Sequence, residues 1–284
     1  MLGFALHRVL HDSGCDVVGA IRSAAPPKSN WCNGLAYTSG VDAEQLQTVV
    51  RAIENTQATV VINAIGVRAG AANDAERMRL LRVNAVFPRL MDLAAQSLGI
   101  YFVHFSSDGV FSGQRGMYDE SSVPDAQDLY GVAKFLGEPR SARSLVLRTS
   151  LLGRGLVAND SLVDWFLAQR GRVRGFRRAI FSGLPVNEIA RLLATRILPR
   201  PDRLSGVFHL SAAPISKYEL LGLIRSAWSL DDTELAADDT VAIDRSLDST
   251  RLKETIGYAS ADWSQLIAGM HSFYRACDEQ GMKI

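Results

Sequence analysis

Two residues of this sequence that could do chemistry together are a tyrosine and a lysine four positions apart. Tyr130 and Lys134 lie in the segment DLYGVAKFLGE (128–138), which has the pattern of a helix. Residues at positions i and i+4 share one helix face, with Cβ atoms about 5–6 Å apart, so both side chains can enter one site. A neighbouring ammonium favours the phenolate, and such a pair can pass a proton to or from a substrate oxygen. The same spacing also occurs on solvated helices, so the pair needs support from the rest of the chain.

Polar residues at the ends of three predicted strands supply that support. They are 63–66, 106–108 and 148–150. Ligands of an open parallel sheet bind beyond the carboxyl ends of its strands, so Ser107 could converge with Tyr130 and the lysine. A serine and a tyrosine hydroxyl can both hold a carbonyl oxygen, which suits reduction of a ketone by a hydride donor, with the tyrosine supplying the proton. The serine pair at 106–107 could also be only a turn cap.

A Ser-His-Asp hydrolase is the competing interpretation of these polar residues. It is disfavoured because the sequence contains no G-x-S-x-G elbow. His104, which lies inside a predicted strand, is interpreted as a core histidine.

The elements that must position these residues alternate between strands and helices. A continuous β-branched run at 58–66 is typical of a strand buried on both faces, and Asp42 is the predicted N-cap of the helix that precedes it. Repeated strand–helix units predict an α/β fold with a doubly wound parallel sheet. We expect a dinucleotide-binding domain over 1–150 and a smaller α/β substrate lobe over 151–284, interwoven with the first. The predicted helices are 4–14, 42–56, 73–98, 128–138, 185–198, 216–228 and 261–276, and the predicted strands are 16–21, 58–66, 100–107, 144–150 and 206–211.

Composition excludes several classes of function. The 284 residues carry 31 Lys and Arg against 30 Asp and Glu, so no overall charge attracts nucleic acid or anionic lipid, and the basic run 170–178 is interpreted as a solvated strand and loop. Cys15, Cys32 and Cys277 are scattered without metal-ligand spacing, which predicts reduced thiols. No apolar run approaches the roughly 20 residues that span a bilayer, and no signal peptide is recognisable. A cytoplasmic protein is expected.

The segment FSSDGVFSGQRGMYDESSVPDAQDLYGVAKFLGE (105–138) resembles the active-site region of the extended short-chain dehydrogenase/reductases. It is most similar to their dTDP-4-dehydrorhamnose reductase branch, which reduces the 4-keto group of a nucleotide-linked deoxysugar. The resemblance implies that Ser107 holds the substrate oxygen, that Tyr130 is the acid, and that Lys134 also holds the nicotinamide ribose. Further similar segments are 59–66, 82–95, 147–155 and 246–263.

The resemblance breaks down at the start of the chain. The family opens with a strand and a G-x-x-G-x-x-G loop that binds the dinucleotide pyrophosphate, and here Gly3 would be the last of those glycines. We expect the first strand and two glycines to be missing, either through a late start assignment or through real truncation. The late start is favoured because a sheet without its central strand exposes two edges. Strands 16–21 and 58–66 should then flank a gap, the first helix should fray at its start, and this chain should bind dinucleotide poorly.

The predicted cofactor is NADP(H), with NAD(H) the less favoured alternative. NAD-preferring sites place an acid at the end of the second strand of the family, whereas Arg22 and Ser23 follow the strand 16–21 here and could accept a 2′-phosphate. No metal is expected. The residues placed at the cofactor by the resemblance are Gly3, Arg22, Ser23, Asp42, Ala64, Gly66, Asn84, Ser106, Tyr130 and Lys134.

The resemblance implies an NADPH-dependent reductase of a nucleotide-linked 4-keto sugar, serving deoxysugar or surface-polysaccharide synthesis. One alternative is an epimerase or dehydratase of the same fold, which also carries Tyr-x-x-x-Lys but recycles bound NAD; Arg22 and the segment 105–138 argue against it. Another is a binding protein that resembles the regulatory subunit of methionine adenosyltransferase; the intact Ser107, Tyr130 and Lys134 set argues against it, whereas the missing phosphate loop supports it. The sugar, the nucleotide and the oligomeric state, including a homodimer, are left open.

Overall fold

The computed structural model describes residues 1–25, 29–68, 73–156 and 161–281, and its architecture is α/β. The strands are β1 (Gly19–Ala20), β2 (Tyr37–Thr38), β3 (Val60–Asn63), β4 (Tyr101–Phe105), β5 (Ser144–Arg148), β6 (Leu151–Leu152), β7 (Gly171–Phe181), β8 (Leu184–Pro185), β9 (Gly206–His209), β10 (Ile215–Ser216) and β11 (Thr233–Asp244). The helices are α1 (Leu2–Asp12), α2 (Leu46–Thr56), α3 (Asp74–Leu81), α4 (Phe87–Leu98), α5 (Leu129–Leu136), α6 (Leu162–Leu167), α7 (Val186–Leu192), α8 (Lys217–Ala227), α9 (Thr250–Ile256) and α10 (Trp263–Gly281).

The central sheet is parallel, with the strand order β3-β4-β5-β9. Side chains of β4 alternate between its two faces, as a strand requires. Phe102 packs in a cluster with Ile53 of α2 and Met91 of α4, whereas Val103 belongs to the larger cluster that contains Ile189 of α7. Helices therefore cover both faces of the sheet, and the predicted doubly wound α/β fold is confirmed.

The outer strand β3 differs from its prediction. Val60, Val61 and Ile62 are half-buried, so the prediction of a strand buried on both faces was wrong. The reason is that β3 stands at the edge of the four-stranded sheet, whereas the strand predicted beside the gap, β1, pairs with β2 in a separate two-stranded sheet. The two strands do not pair with each other, and the predicted gap between them stays a prediction.

The starts of two helices also correct the predictions. Helix α1 begins at Leu2, whose side chain is buried, so its first turn is packed rather than frayed. Helix α2 begins at Leu46 after Gln45, and Asp42 is therefore not its N-cap. The Asp42 carboxylate instead accepts a hydrogen bond from the backbone N–H of Glu44 (3.0 Å), which closes a local turn.

The long helix predicted over 73–98 forms, but with an irregular centre. Helices α3 and α4 are joined by a π-helical segment, Arg82–Val86, without a break in the chain's helical course. This segment carries Asn84, which is buried. Such π-helical turns are frequent at functional sites, because the widened turn redirects side chains.

The second half of the chain adds a mixed sheet of order β10-β7-β11. Strand β7 contains residues 171–178 of the basic run, and its exposed Arg172, Arg174 and Arg177 pair with acids of β11, as Arg174 does with Asp238 (3.2 Å). The interpretation of this run as a solvated strand is confirmed. The largest hydrophobic cluster combines residues from before and after position 150, such as Leu145 and Phe208. The domain boundary at 150 stays a prediction.

Within the described ranges, no helix combines the length and the apolar character that a membrane crossing requires.

Candidate active site

The ends of three neighbouring strands meet at one cavity of about 470 Å³. Because β3, β4 and β5 are parallel, their carboxyl ends lie at the same edge of the sheet. The residues that line the cavity are Met1, Leu2, Ala64, Ile65, Gly66, Val67, Arg68, Phe105, Ser106, Ser107, Tyr130, Lys134, Thr149, Ser150, Leu151, Leu152, Gly153, Ser161 and Leu162.

Helix α5 places the tyrosine and the lysine in this cavity. Its N-terminus is fixed by Asp128, whose carboxylate accepts the Gly131 N–H (2.9 Å). One turn apart on the same face, Tyr130 and Lys134 both line the cavity. The lysine is 4% exposed, and its Nζ donates a hydrogen bond to the carbonyl oxygen of Phe105 (2.6 Å) at the end of β4.

Two glycines allow α5 to approach the turn that follows Ser107. A Cβ atom added to Gly109 would lie 3.1 Å from the Ser107 Oγ and 3.2 Å from the Tyr130 Cε1. A Cβ atom added to Gly131 would overlap the carbonyl oxygen of Gly109. The backbones therefore touch where any side chain would hold them apart, and the serine and tyrosine side chains lie on either side of this contact.

The Ser107 hydroxyl does cap a turn, as the alternative interpretation of the serine pair expected. It accepts the Gly109 N–H (3.0 Å) and donates to the Asp108 carboxylate (3.1 Å). These two bonds orient the hydroxyl beside the Tyr130 phenol, whose pKa it lowers. Ser107 thus combines a structural role with a position beside the reactive tyrosine.

The tyrosine is held in its protonated form. Burial is the largest influence and raises the pKa of Tyr130 above 10, while Ser107 and the Arg68 guanidinium lower it less. The net direction differs from the prediction of a lowered pKa, because burial outweighs the polar neighbours of the phenol. Tyr130 keeps its proton at neutral pH and is suited to donate it.

The lysine ammonium is costly to bury. Removal from water lowers the pKa of Lys134 from 10.5 to about 8, and the Glu138 carboxylate opposes that change. The lysine is therefore still mainly charged at pH 7. Its cation can bind hydroxyl or phosphate oxygens of a ligand in the cavity.

The cavity has a cationic lining that fits an anionic ligand. Among its lining residues the charged side chains are those of Arg68 and Lys134, and none is a carboxylate. Helix α1 begins at the cavity with Leu2, without a side-chain cap and without an acid in its first turn. Because a helix N-terminus attracts anions, this end of α1 fits a phosphate of a dinucleotide. In the ranges described, no cluster of three or more His, Cys, Asp or Glu side chains could hold a metal.

The predicted cofactor residues divide into two groups. Ala64, Gly66 and Ser106 line the cavity together with the tyrosine and lysine, although the Ser106 hydroxyl donates to Glu138 (2.7 Å). The others do not line it and stay predictions: Gly3, Arg22, Ser23, Asp42 and Asn84.

Asn84 does not line the cavity but holds Val67, which does. Its side chain accepts the Val67 N–H (2.9 Å) and donates to the Val67 carbonyl (2.7 Å), which fixes the loop after β3. Arg22 and Ser23 are exposed just after β1. His104 is a buried core histidine, as interpreted, and its Nδ1 lies 3.0 Å from the Asn63 amide nitrogen.

Several lining residues were not found from the sequence. Arg68 follows a strand end without any motif, and Ser161 and Leu162 enter the cavity from the start of α6. The run 148–150 did signal Thr149 and Ser150, but only as polar residues after a strand.

An α/β fold with a serine, a tyrosine and a lysine at the carboxyl ends of its strands defines the extended short-chain dehydrogenase/reductase class. The chain belongs to the RmlD substrate binding domain family, whose model matches residues 1–271.

The sequence identity to individual relatives is low. A dTDP-4-dehydrorhamnose reductase of Burkholderia thailandensis is 26% identical over 255 residues, covering 78% of this chain and 84% of the relative. Methionine adenosyltransferase 2 subunit beta of Rattus norvegicus is 24% identical over 248 residues, covering 83% and 71%. The crystal structure of dTDP-4-dehydrorhamnose reductase from Bacillus anthracis in complex with NADP has a TM-score of 0.73 at 19% identity, covering 90% of this chain and 98% of that one. This structural likeness extends over the whole fold.

Proposed function

We propose that this protein uses NADPH to reduce the 4-keto group of a nucleotide-linked deoxysugar, as a dTDP-4-dehydrorhamnose reductase does. The observation that carries the proposal is the meeting of Ser107, Tyr130 and Lys134 in one cationic cavity at the carboxyl ends of parallel strands. Family membership and the similarity to the Burkholderia thailandensis reductase support the reaction class. A cytoplasmic location is part of the same proposal, and the number of subunits is left to measurement.

The residues divide the chemistry among them. The Ser107 hydroxyl, oriented by the Gly109 N–H, turns its one proton from the Asp108 carboxylate to the substrate carbonyl oxygen, and the Tyr130 hydroxyl donates its proton to the same oxygen as the carbonyl is reduced. The Lys134 cation favours the phenolate that remains after this proton transfer. Bound NADPH supplies the hydride for the carbonyl carbon.

The choice of NADPH rests on three features. The Bacillus anthracis neighbour was crystallised with NADP. The cavity offers a helix N-terminus and two cationic side chains for phosphate oxygens. Arg22, exposed at the end of β1, is available to a 2′-phosphate.

The test follows NADPH absorbance at 340 nm with dTDP-4-dehydrorhamnose as substrate. Tyr130→Phe should reduce turnover by roughly 10²-fold or more, because general acid catalysis typically contributes 10²–10⁴. The dissociation constant of NADPH should change little. The matched control is Tyr101→Phe, since Tyr101 is buried in the same sheet and donates its hydroxyl to Leu204, away from the cavity. Near-normal turnover of the Tyr130 variant would remove this residue from the mechanism.

The two alternative functions give different results in the same assay. An epimerase or dehydratase would purify with bound NAD and convert nucleotide sugars without net consumption of NADPH. A regulatory protein like the methionine adenosyltransferase subunit, to which the chain is 24% identical, would act by contact with a partner and would reduce no sugar nucleotide.

A further inference from the structure

The loop between the catalytic serine and helix α5, residues 111–125, begins and ends at the serine turn, which we define as residues 107–110. The Val110 carbonyl oxygen accepts the backbone N–H groups of Asp125 (3.1 Å) and Ala126 (3.0 Å). A Cβ atom added to Gly131 of α5 would lie only 2.4 Å from the Cβ of Ala126. Both ends of the loop are therefore built into the contact between the serine turn and α5. A displacement of the loop would disturb the geometry of the catalytic serine and tyrosine.

The far end of this loop is tied down at Tyr118. The Tyr118 carbonyl oxygen accepts two hydrogen bonds, from the backbone N–H of Asp248 (2.8 Å) and from Nδ1 of His209 (2.9 Å). Its N–H donates to the carbonyl oxygen of Ser246 (2.9 Å), and its ring stacks on that of Phe111, with centroids 4.2 Å apart. The loop is thus held to strand β9 by one side chain, the imidazole of His209.

The contacts of His209 fix its tautomer. The residue is fully buried at the end of β9. Its Nδ1 faces the Tyr118 carbonyl oxygen, and its Nε2 lies 3.4 Å from Nη1 of Arg148. A carbonyl oxygen can only accept a hydrogen bond and a guanidinium can only donate one. Nδ1 must therefore carry the proton while Nε2 is unprotonated, so the ring is neutral.

Arg148 is a rigid neighbour for this ring. The Glu138 carboxylate accepts both its Nε (2.7 Å) and its Nη2 (2.8 Å), and the two side chains are 4% and 5% exposed. Both bonds must break together before the guanidinium can turn away from the histidine. Glu138 also accepts the hydroxyl of Ser106 (2.7 Å), which directly precedes the serine turn. The guanidinium is therefore fixed against the same strand end as the catalytic serine.

We propose that His209 is a positioning residue for the proposed reaction: Arg148 holds its ring in the Nδ1–H form, and the bond from Nδ1 to the Tyr118 carbonyl keeps the 111–125 loop, and with it the serine turn, against α5. The effect on catalysis rests on the proposed function, whereas the effect on the loop does not. The alternative is a histidine that only fills space in the core. The two roles differ in whether a hydrogen-bond donor at Nδ1 matters.

The charged groups around the ring agree with a neutral imidazole. Arg148 approaches from β5, with Glu138 behind it, and the Glu120 carboxylate of the loop accepts the backbone N–H of His209 (2.8 Å). Burial lowers the pKa of His209 from 6.5, and Arg148 also lowers it, while Glu120 opposes them. At pH 7 the ring is therefore mainly uncharged, as its two contacts require.

The first test reads the tautomer in the wild-type protein. The chain has five histidines, and ¹⁵N NMR of the labelled side chains distinguishes the Nδ1–H form, the Nε2–H form and the charged form of each. The signals of His209 are those that a His209→Asn variant lacks. At pH 7 they should show the Nδ1–H form. A ring protonated at Nε2, alone or in the charged form, would overturn the proposal without any question of whether a variant folds.

The second test separates the two ring nitrogens with two amides. The side-chain nitrogen of asparagine reaches the position of Nδ1, so His209→Asn keeps a donor for Tyr118. The amide of glutamine reaches the position of Nε2, so His209→Gln keeps a partner for Arg148 and loses that donor.

Hydrogen exchange of peptides over 112–118, measured by mass spectrometry relative to 172–178 of β7, reports how often the loop opens. Exchange should be roughly three- to tenfold faster in the glutamine variant and close to wild type in the asparagine variant, because one hydrogen bond is lost in the first alone. The control is His271→Gln, which makes the same change at a histidine packed on Trp228. Equal exchange in the asparagine and glutamine variants would show that His209 only fills space.

The third test is kinetic. His209→Gln should lower kcat roughly three- to tenfold, and His209→Asn should restore most of that loss. The dissociation constant of NADPH should stay near that of the wild type, because neither His209 nor the 111–125 loop lines the cavity. Equal losses of kcat in both variants would contradict the role in catalysis. Absence of reductase activity in the wild-type protein would contradict the proposed function, while the tautomer and the exchange rates would still decide whether His209 holds the loop.

Discussion

The buried ammonium of Lys134 should make the stability of this protein depend on pH in a characteristic way. The group has a pKa of 10.5 in an unfolded chain and of about 8 in the fold, where it is 4% exposed. A difference of this size corresponds to about 3 kcal/mol between the charged and neutral forms. Below pH 8 the fold carries the full cost of holding this charge.

The sign follows from proton binding. Between pH 8 and 10.5 the unfolded chain keeps the Lys134 proton while the folded chain releases it, so the free energy of unfolding rises with pH. Lys134→Met removes this dependence. The stability of the methionine variant relative to the wild type should therefore fall by about 3 kcal/mol between pH 7 and 10.5, as the wild type escapes its cost.

Urea unfolding of both proteins at several pH values measures this difference. Tyrosines and thiols also titrate in this range, but their contributions to the free energy of unfolding are the same in both proteins and cancel. Lys134→Arg is the matched control, because arginine cannot lose its proton in this range. The arginine and methionine variants should differ by a constant amount. A wild-type-minus-methionine difference that stays level from pH 7 to 10.5 would refute the assignment of Lys134 as a buried group with a lowered pKa.

Three further substitutions test the walls of the cavity. Gly131→Ala should separate α5 from the Gly109 turn. The free energy of unfolding, measured by chemical denaturation, should fall by about 1–3 kcal/mol, and turnover should fall as well. An unchanged free energy of unfolding would contradict the close contact. Asn84→Ala removes both bonds to the loop after β3 and should cost about 1–3 kcal/mol, checked by urea unfolding, whereas a neutral result would mean that the loop does not need it. Arg68→Gln should raise the pKa of Tyr130, moving the basic limb of the pH–rate profile upward, and a downward movement would exclude Arg68 as a stabiliser of the phenolate.

Local spacing was enough to predict part of the candidate site. The helix carrying Tyr130 and Lys134 forms over the predicted segment, and both side chains share a face because four residues nearly complete a turn. Ser107 could be associated with them because parallel strands end at one edge of a sheet. Both inferences use geometry that is fixed within one element or one type of sheet.

Features that depend on burial and on distant contacts could not be predicted in this way. The direction of the Tyr130 pKa was wrong because the sequence does not show how far water is excluded from the phenol. The partner of Glu138 at Arg148 comes from another strand, and the contact of Gly131 with Gly109 needs the packed backbone. Asp42 has a residue type suited to a helix N-cap, but it satisfied a nearer backbone N–H instead.

The π-helical segment Arg82–Val86 makes the wall of the cavity sensitive to chain length. A residue added to or removed from an α-helix rotates everything beyond it by about 100°. The π-helical turn takes up one extra residue and so absorbs one such rotation. Helix α4 therefore keeps its apolar face on the sheet, while Asn84 points towards Val67. Deletion of one residue in this segment would leave a helix with regular α-helical hydrogen bonds. It would also turn Asn84 away from the loop that it holds. Insertions and deletions should therefore be tolerated far less in this helix than its regular hydrophobic pattern suggests.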